Sequence, residues 1–131
     1  MEVNVVQVAL HDDPRRTIFP VFNSEDGEFV PGQVKVLVVK EDCWLGGQAG
    51  HYHEYGEAYL NAGGGQTTFY LQNIDDPQER QEVVLRCGEK LIIPAHVAHK
   101  VEAKKGAILI GLTAEPYRGS GQDIPFAVQT D

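Results

Sequence analysis

Short strand-like runs limit how this chain can fold. Seven runs rich in β-branched and aromatic residues are separated by glycine, proline, asparagine and aspartate, and no window of ten or more residues carries a capped amphipathic helical pattern. The runs cover residues 3–9, 17–22, 33–39, 66–72, 82–86, 90–93 and 107–113. Many short strands joined by turns are typical of an antiparallel sandwich or a small barrel. We therefore predict an all-β protein built from short antiparallel strands.

Two local patterns refine this prediction. Side chains two residues apart in a strand point to the same face, so Val34, Val36 and Val38 should share one face of their strand. The polar stretch 73–80, NIDDPQER, contains Pro77 and is predicted to be an exposed hairpin connection between two strands.

Size and charge exclude several classes of protein. The 131 residues, 42% of them hydrophobic, suit one compact domain over residues 1–131. A formal net charge of −8 disfavours nucleic acid and anionic membrane surfaces as partners. The first residues carry no basic and apolar leader pattern, so we expect a soluble cytoplasmic protein in which Cys43 and Cys87 are reduced thiols.

The histidines carry the chemical signal. Four of the five fall in two segments, GHYHEYGEAY (50–59) and PAHVAHKVEA (94–103). In an extended backbone His51 and His53 project from the same face, and Gly56 permits a turn that could bring Glu57 to them. His99 would have to arrive from a later strand. Imidazole and carboxylate ligands suit a transition metal with open positions, whereas the simpler alternative is a hydrogen-bonded structural cluster.

These two segments resemble the two signature motifs of the cupin superfamily. In the first motif His51, His53, Glu57 and Gly64 have the cupin spacing, while the leading glycine, Gly46, stands one residue too close. The second motif keeps its glycine, proline and histidine at Gly88, Pro94 and His99, but has His96 in place of the inner glycine and Ala103 in place of the final asparagine.

The resemblance implies a cupin-type double-stranded β-helix, a jelly-roll barrel, for the whole chain. It also implies that His51, His53, Glu57 and His99 ligate a divalent transition metal, whether Fe, Mn, Ni, Cu or Zn. Because glycine tolerates positive φ freely, histidine at position 96 predicts an altered turn. His96, Tyr59 and Tyr70 are the candidate catalytic acid–base residues, although His96 could simply lie on the pocket rim.

Three functions are compatible with such a site. The first is an isomerase or epimerase acting on a small hydroxy-carbonyl metabolite, preferably sugar-like, because the tail 107–117, AILIGLTAEPY, is similar to the ending of small cupins of deoxysugar and surface-polysaccharide synthesis. The second is an Fe-dependent dioxygenase, and the third is a module that binds a small ligand without turnover. The apolar start of the chain, from Val3 to Val8, further predicts a homodimer formed by strand exchange or sheet extension.

Overall fold

Two antiparallel β-sheets make up most of the fold. The computed structural model describes residues 1–8, 10–23 and 29–130, and within them it contains thirteen strands and one 3₁₀ turn, Ser120–Gln122. The strands are β1 (Asn4–Gln7), β2 (His11–Asp13), β3 (Arg16–Ile18), β4 (Gln33–Val38), β5 (Cys43–Leu45), β6 (His51–Tyr52), β7 (Glu57–Asn61), β8 (Thr67–Asn73), β9 (Arg80–Leu85), β10 (Glu89–Ile93), β11 (Val97–Ala103), β12 (Ile108–Thr113) and β13 (Ile124–Pro125). The all-β prediction is confirmed.

The strand order interleaves early and late parts of the chain. The first sheet has the order β1-β10-β7-β12-β4. The second has the order β13-β6-β11-β8-β9, and β5 pairs with the same strand, β11, further along its length. Strands β2 and β3 form a separate hairpin. Every pairing is antiparallel, and most neighbours in the sheets are distant in sequence, as in a jelly roll.

The core lies between the inner faces of the two sheets. The buried apolar cluster draws on five strands and contains Phe69, Leu71, Val83, Leu85, Leu91, Ile93, Val97, Val101 and Leu109. Alternation in β8 shows how the faces separate, since Phe69 and Leu71 are buried while Tyr70 points to the outside. Leucine, isoleucine, valine and phenylalanine therefore fill the barrel below the end at which Glu57, His53 and His99 are buried.

Most predicted runs lie on strands. The runs at 33–39, 66–72, 82–86, 90–93 and 107–113 each coincide with one strand to within two residues at either end, and the connection 73–80 joins the paired strands β8 and β9. The run at 17–22 is only partly a strand, because β3 ends at Ile18. Ala9, at the end of the first run, lies outside the described residues. The sequence pattern also predicts a turn at residues 23–27, of which only Asn23 is described.

Six of the described strands lie outside the predicted runs: the short strands β2, β5, β6 and β13, and two longer strands. The longer strands are β7 and β11, which carry Glu57 and His99 as well as other polar side chains that face the interior. Their polar inner residues interrupt the apolar pattern on which strand prediction depends. The predicted common face of Val34, Val36 and Val38 does exist on β4, and it is turned outwards, with each side chain about 60% exposed.

No helix among the described residues has the length and apolar character needed to cross a membrane.

Candidate functional site

The four motif residues meet at the open end of the barrel. His51 on β6 lies directly opposite His99 on β11 in the antiparallel register, and their ring centroids are 4.6 Å apart. The His53 ring lies 4.8 Å from that of His51 and 5.3 Å from that of His99. Glu57 is the first residue of β7 and so comes from the opposite sheet. The site therefore joins the two sheets, and residues 46 positions apart in sequence share it.

Glu57 is the centre of this cluster. Its side chain is almost wholly buried, and its Oε1 lies 2.9 Å from His99 Nε2 and 3.1 Å from His53 Nδ1. The Tyr59 hydroxyl donates a hydrogen bond of 2.8 Å to the other oxygen, Oε2. Both carboxylate oxygens are thus satisfied in a buried position, which is the condition under which such a group is tolerated.

The ionisation of the cluster follows from these contacts. Burial raises the pKa of Glu57, but the charge of His99 and the hydrogen bonds from His53 and His99 outweigh burial and hold this pKa well below its ordinary value. Burial lowers the pKa of His53, but the facing carboxylates of Glu57 and Asp123 raise it more, so its net shift is upwards. Burial and the charges of His99 and His53 lower the pKa of His51 to about 4, so that this ring is neutral at pH 7.

Second partners fix the orientation of two of the rings. His99 Nδ1 lies 3.0 Å from the Val97 carbonyl oxygen, which leaves Nε2 directed at Glu57. His53 Nε2 lies 2.7 Å from Asp123 Oδ1, which leaves Nδ1 directed at Glu57. All four ring nitrogens of His53 and His99 therefore face oxygen atoms. Ligating histidines in metal sites are commonly held by such partners.

Asp123 was not among the predicted site residues. It lies just beyond the 3₁₀ turn and before β13, in a C-terminal segment that crosses the open end of the barrel. Gly50 makes this crossing possible, because a Cβ there would lie 2.6 Å from Val128 Cγ2 and 3.0 Å from the Phe126 carbonyl oxygen, and its φ is +112°. No sequence motif marks Asp123, since its position depends on where the segment crosses.

The cluster forms one wall of a pocket of about 170 Å³. Tyr55, Tyr59 and Tyr117 line it together with Lys35 and Asp123, and Phe69, Val101 and Leu109 provide an apolar floor. Charged groups at the open end and apolar side chains at the closed end make this a concave site with a few convergent polar groups, which is the usual form of a small-molecule site.

The three predicted acid–base residues have different positions. Tyr59 lines the pocket, and burial together with the neighbouring Glu57 charge raises its pKa well above the ordinary value. Tyr70 lies outside it, on the outer face of the second sheet, where its ring is 5.9 Å from that of Trp44 and from Lys100 Nζ. The structure therefore does not bring Tyr70 to the motif residues.

His96 lies in an exposed turn and is not part of the pocket lining. Its φ of 67° is the left-handed conformation that glycine adopts freely, so the altered turn expected from histidine at this position is wrong: His96 adopts a conformation that costs a non-glycine residue roughly 1–2 kcal/mol. Its backbone N–H donates a 2.8 Å hydrogen bond to the His53 carbonyl oxygen. The backbone of His96 therefore supports the His53 segment, while its ring lies 6.3 Å from that of Tyr52 and outside the pocket lining.

No protein-family model and no curated protein matches the chain. Several solved structures do. WlaRB, a TDP-quinovose 3,4-ketoisomerase from Campylobacter jejuni, is 15% identical over 95% of this chain and 92% of its own, with a TM-score of 0.76. A variant of the 3,4-ketoisomerase QdtA from Thermoanaerobacterium thermosaccharolyticum, in complex with TDP-4-keto-6-deoxyglucose, is 18% identical over 93% and 86%, with a TM-score of 0.74.

ChmJ, a 3'-monoepimerase from Streptomyces bikiniensis in complex with dTDP-quinovose, is 14% identical over 94% of this chain and 68% of its own, with a TM-score of 0.78. At such low identity these likenesses establish the fold. The chain has the cupin fold, as its two motifs implied.

Replacing Glu57 with glutamine should destabilise the protein strongly. The amide cannot pair with two imidazoles and a phenol as the carboxylate does, and removing one partner from a buried charge cluster costs about 3–5 kcal/mol. Urea unfolding of Glu57→Gln measures the loss. The matched control is Glu54→Gln, an exposed neighbour whose change should stay within about 0.5 kcal/mol. Equal midpoints for the two variants would contradict the central role of Glu57.

Proposed function

We propose that the protein is an isomerase or epimerase that moves a proton next to the carbonyl group of a sugar-like substrate. The observation that carries the proposal is the pairing, in one small pocket, of a buried phenol held in its protonated form with a partly exposed carboxylate. Tyr59 provides the phenol and Asp123 the carboxylate. An acid and a base with separated pKa values are what proton transfer beside a carbonyl requires.

Tyr59 acts as the proton donor. Its raised pKa keeps the hydroxyl protonated at neutral pH, and its hydrogen bond to Glu57 Oε2 fixes the ring at the pocket wall. In the reaction the hydroxyl turns from Glu57 Oε2 to the substrate carbonyl oxygen, gives that oxygen its proton as negative charge forms there, and takes a proton back from the substrate when the carbonyl re-forms, so that no phenolate persists. Tyr59 was a candidate acid–base residue, and a general base would have to be the phenolate. Burial beside the Glu57 carboxylate disfavours the phenolate, so we assign Tyr59 the role of acid.

Asp123 acts as the proton acceptor. Its Oδ1 is directed at His53 Nε2, and its side chain is about half exposed at the pocket opening, so the carboxylate can reach a bound substrate. It takes the proton from the carbon next to the carbonyl. Returning that proton to the former carbonyl carbon, while the neighbouring hydroxyl gives its own proton to Tyr59, produces the isomer. Returning one to the opposite face of the same carbon, while Tyr59 recovers the proton that it gave, produces the epimer.

The proposal includes a divalent transition metal held by His51, His53, Glu57 and His99. Ring nitrogens of the three histidines lie within 4.8 Å of one another, and two of the rings are already oriented by Val97 and Asp123. A bound metal supplies Lewis-acid polarisation of the substrate carbonyl. Metal and ring protons compete for the same nitrogens, so affinity for the metal should fall as the pH is lowered.

Support for a sugar-like substrate comes from the neighbours in fold. Two of these neighbours are 3,4-ketoisomerases and one is a 3'-monoepimerase, and their names or bound ligands identify thymidine-diphosphate sugars. The pocket of this chain has the donor, the acceptor and an apolar floor in keeping with that kind of reaction.

Deuterium exchange tests the reaction. Nuclear magnetic resonance of free and nucleotide-linked keto- and aldohexoses, incubated with the protein in D₂O, should show deuterium appearing on the carbon next to the carbonyl. Tyr59→Phe and Asp123→Asn should each slow exchange by about 10²–10⁴-fold. Tyr70→Phe is the matched control, because that phenol lies on the outer face. Full exchange in Tyr59→Phe would refute the assignment, and oxygen consumption by the iron-loaded protein without exchange would favour the dioxygenase instead.

Elemental analysis by plasma mass spectrometry tests the metal. Protein purified without a polyhistidine tag should carry near-stoichiometric Fe, Mn, Ni, Cu or Zn, and His51→Ala and His99→Ala should lose most of it. His11→Ala is the control, since His11 lies on the separate β2–β3 hairpin. Unchanged metal content in the first two variants, or no uptake on reconstitution, would leave the histidines with acid–base or structural roles.

The proposal extends to a homodimer formed through the start of the chain. Strand β1 pairs with β10 at one border of the first sheet, and Val5 and Val6 are each about 40% exposed there. An exposed apolar edge strand is a ready site for sheet extension by a second copy. Light scattering should give a dimer mass that Val6→Lys lowers, whereas a monomer at all concentrations would exclude this dimer.

A further inference from the structure

One basic side chain reaches the pocket from the edge strand of the sheet that also carries the donor. Lys35 is the one lysine or arginine among the described residues that line the pocket. It lies on the inner face of β4, opposite Gly111 of β12, which in turn lies opposite Tyr59 of β7. The three residues form a row across the first sheet, from the edge strand to the centre of the site.

Because Gly111 has no side chain, the side chains of Lys35 and Tyr59 can approach each other across it. A Cβ on Gly111 would lie 3.0 Å from Tyr59 Cε1, 3.2 Å from Lys35 Cε and 3.3 Å from Lys35 Cγ. The Lys35 stem therefore crosses over Gly111 towards Tyr59, and Tyr59 Cε1 and Lys35 Cε lie within the sum of the first two distances, about 6 Å. A single small molecule can touch both side chains.

The charges around the pocket do not suit a diphosphate. Phosphate groups in protein sites are met by arginine and lysine, often in pairs, and Lys35 is alone of this kind among the described lining residues. The ring nitrogens of His53 and His99 already face Glu57, Asp123 and the Val97 carbonyl oxygen. The adjoining groove has Arg118, but Glu115 Oε2 lies 3.9 Å from its Nη1 and Glu54 lines the same groove. The carboxylates of Glu54 and Glu115 outnumber the Arg118 guanidinium in this groove, so the groove repels the second phosphate of a diphosphate.

The size of the pocket points the same way. Its volume of about 170 Å³ is below the roughly 300–1,000 Å³ of pockets that enclose drug-sized ligands. A nucleotide-linked sugar would leave its nucleotide outside, against an acidic groove on a chain with a net charge of −8.

We infer that the substrate is a single sugar of hexose size with one anionic group, a phosphate or a carboxylate, that Lys35 binds while the reacting carbon lies beside Tyr59. This rests on the proposed function, since the reacting carbon is placed by the Tyr59 and Asp123 pair. It departs from the nucleotide-linked sugars of the neighbours in fold, and it makes Lys35 the residue that determines substrate class.

Titration calorimetry with four probes tests the inference: a hexose monophosphate, a hexuronic acid, the neutral hexose and a thymidine-diphosphate hexose. One of the singly substituted anions should bind at least about tenfold more tightly than both the neutral and the nucleotide-linked sugar, because a charge-assisted contact is worth about that factor. The stronger of the two anions identifies the group as phosphate or carboxylate.

Variants of Lys35 separate specific recognition from general attraction. Lys35→Met should reduce the preference for the anionic over the neutral hexose about tenfold, and Lys35→Arg should retain most of it. Lys40→Met, at an exposed lysine outside the pocket lining, should change nothing. An unchanged preference in Lys35→Met, tightest binding of the nucleotide-linked sugar, or binding of none of the probes would overturn the inference.

The two proposals fail in different ways. If the thymidine-diphosphate hexose binds most tightly and exchanges deuterium, the isomerase function stands and the assignment of Lys35 falls. If the singly charged hexose binds through Lys35 but no sugar exchanges deuterium, the site accepts the inferred ligand and the isomerase function falls.

Discussion

The buried carboxylate of Glu57 is the interaction on which the open end of the barrel depends. It belongs to the first sheet, and the imidazoles that hold it belong to β11 of the second sheet and to the segment after β6. A charge at this depth is stable only while its partners stay in place. The same contacts position the phenol of Tyr59 and set the ionisation of the histidines, so one ion cluster joins the sheets and prepares the chemistry.

The cluster gains its properties from competition between burial and charge. Burial alone would raise the pKa of Glu57 and favour its protonated form. A protonated Glu57 could not accept hydrogen bonds from His53 and His99 as the carboxylate does. His51, which has no carboxylate at hydrogen-bond distance among the described contacts, shows the opposite result: burial and its charged neighbours lower its pKa, whereas the pKa of His53 is raised. Two rings 4.8 Å apart therefore differ in ionisation because they differ in partners.

Sequence patterns predicted the parts of this site that local spacing determines. The placement of His51 and His53 on one side follows from strand alternation, and the fold that brings His99 to them followed from the spacing of both motifs. Asp123 and Lys35 could not be found this way. The position of Asp123 depends on where the tail crosses the barrel. That of Lys35 depends on an edge strand whose valines face outwards while Gln33, Lys35 and Leu37 line the pocket. Tyr70 shows the same limit, since its distance from the site depends on the register of β8 rather than on any motif.

The C-terminal segment that carries Asp123 and β13 is held less firmly than the barrel strands, so the pocket can open separately from the rest of the fold. Strand β13 has two residues, and beyond it Phe126 and Val128 are attached to the Gly50 and Ala49 carbonyl oxygens by one backbone hydrogen bond each. Such a short attachment opens at a far lower free energy than the long ladders of β8 and β11. When this segment detaches, Asp123 moves away from His53 and the pocket opens. The position of the catalytic base and the access of solvent to the pocket therefore depend on the same opening equilibrium. The amide protons of Phe126 and Val128 should therefore exchange with solvent at the rate at which the pocket exposes its histidines, while the barrel beneath remains folded.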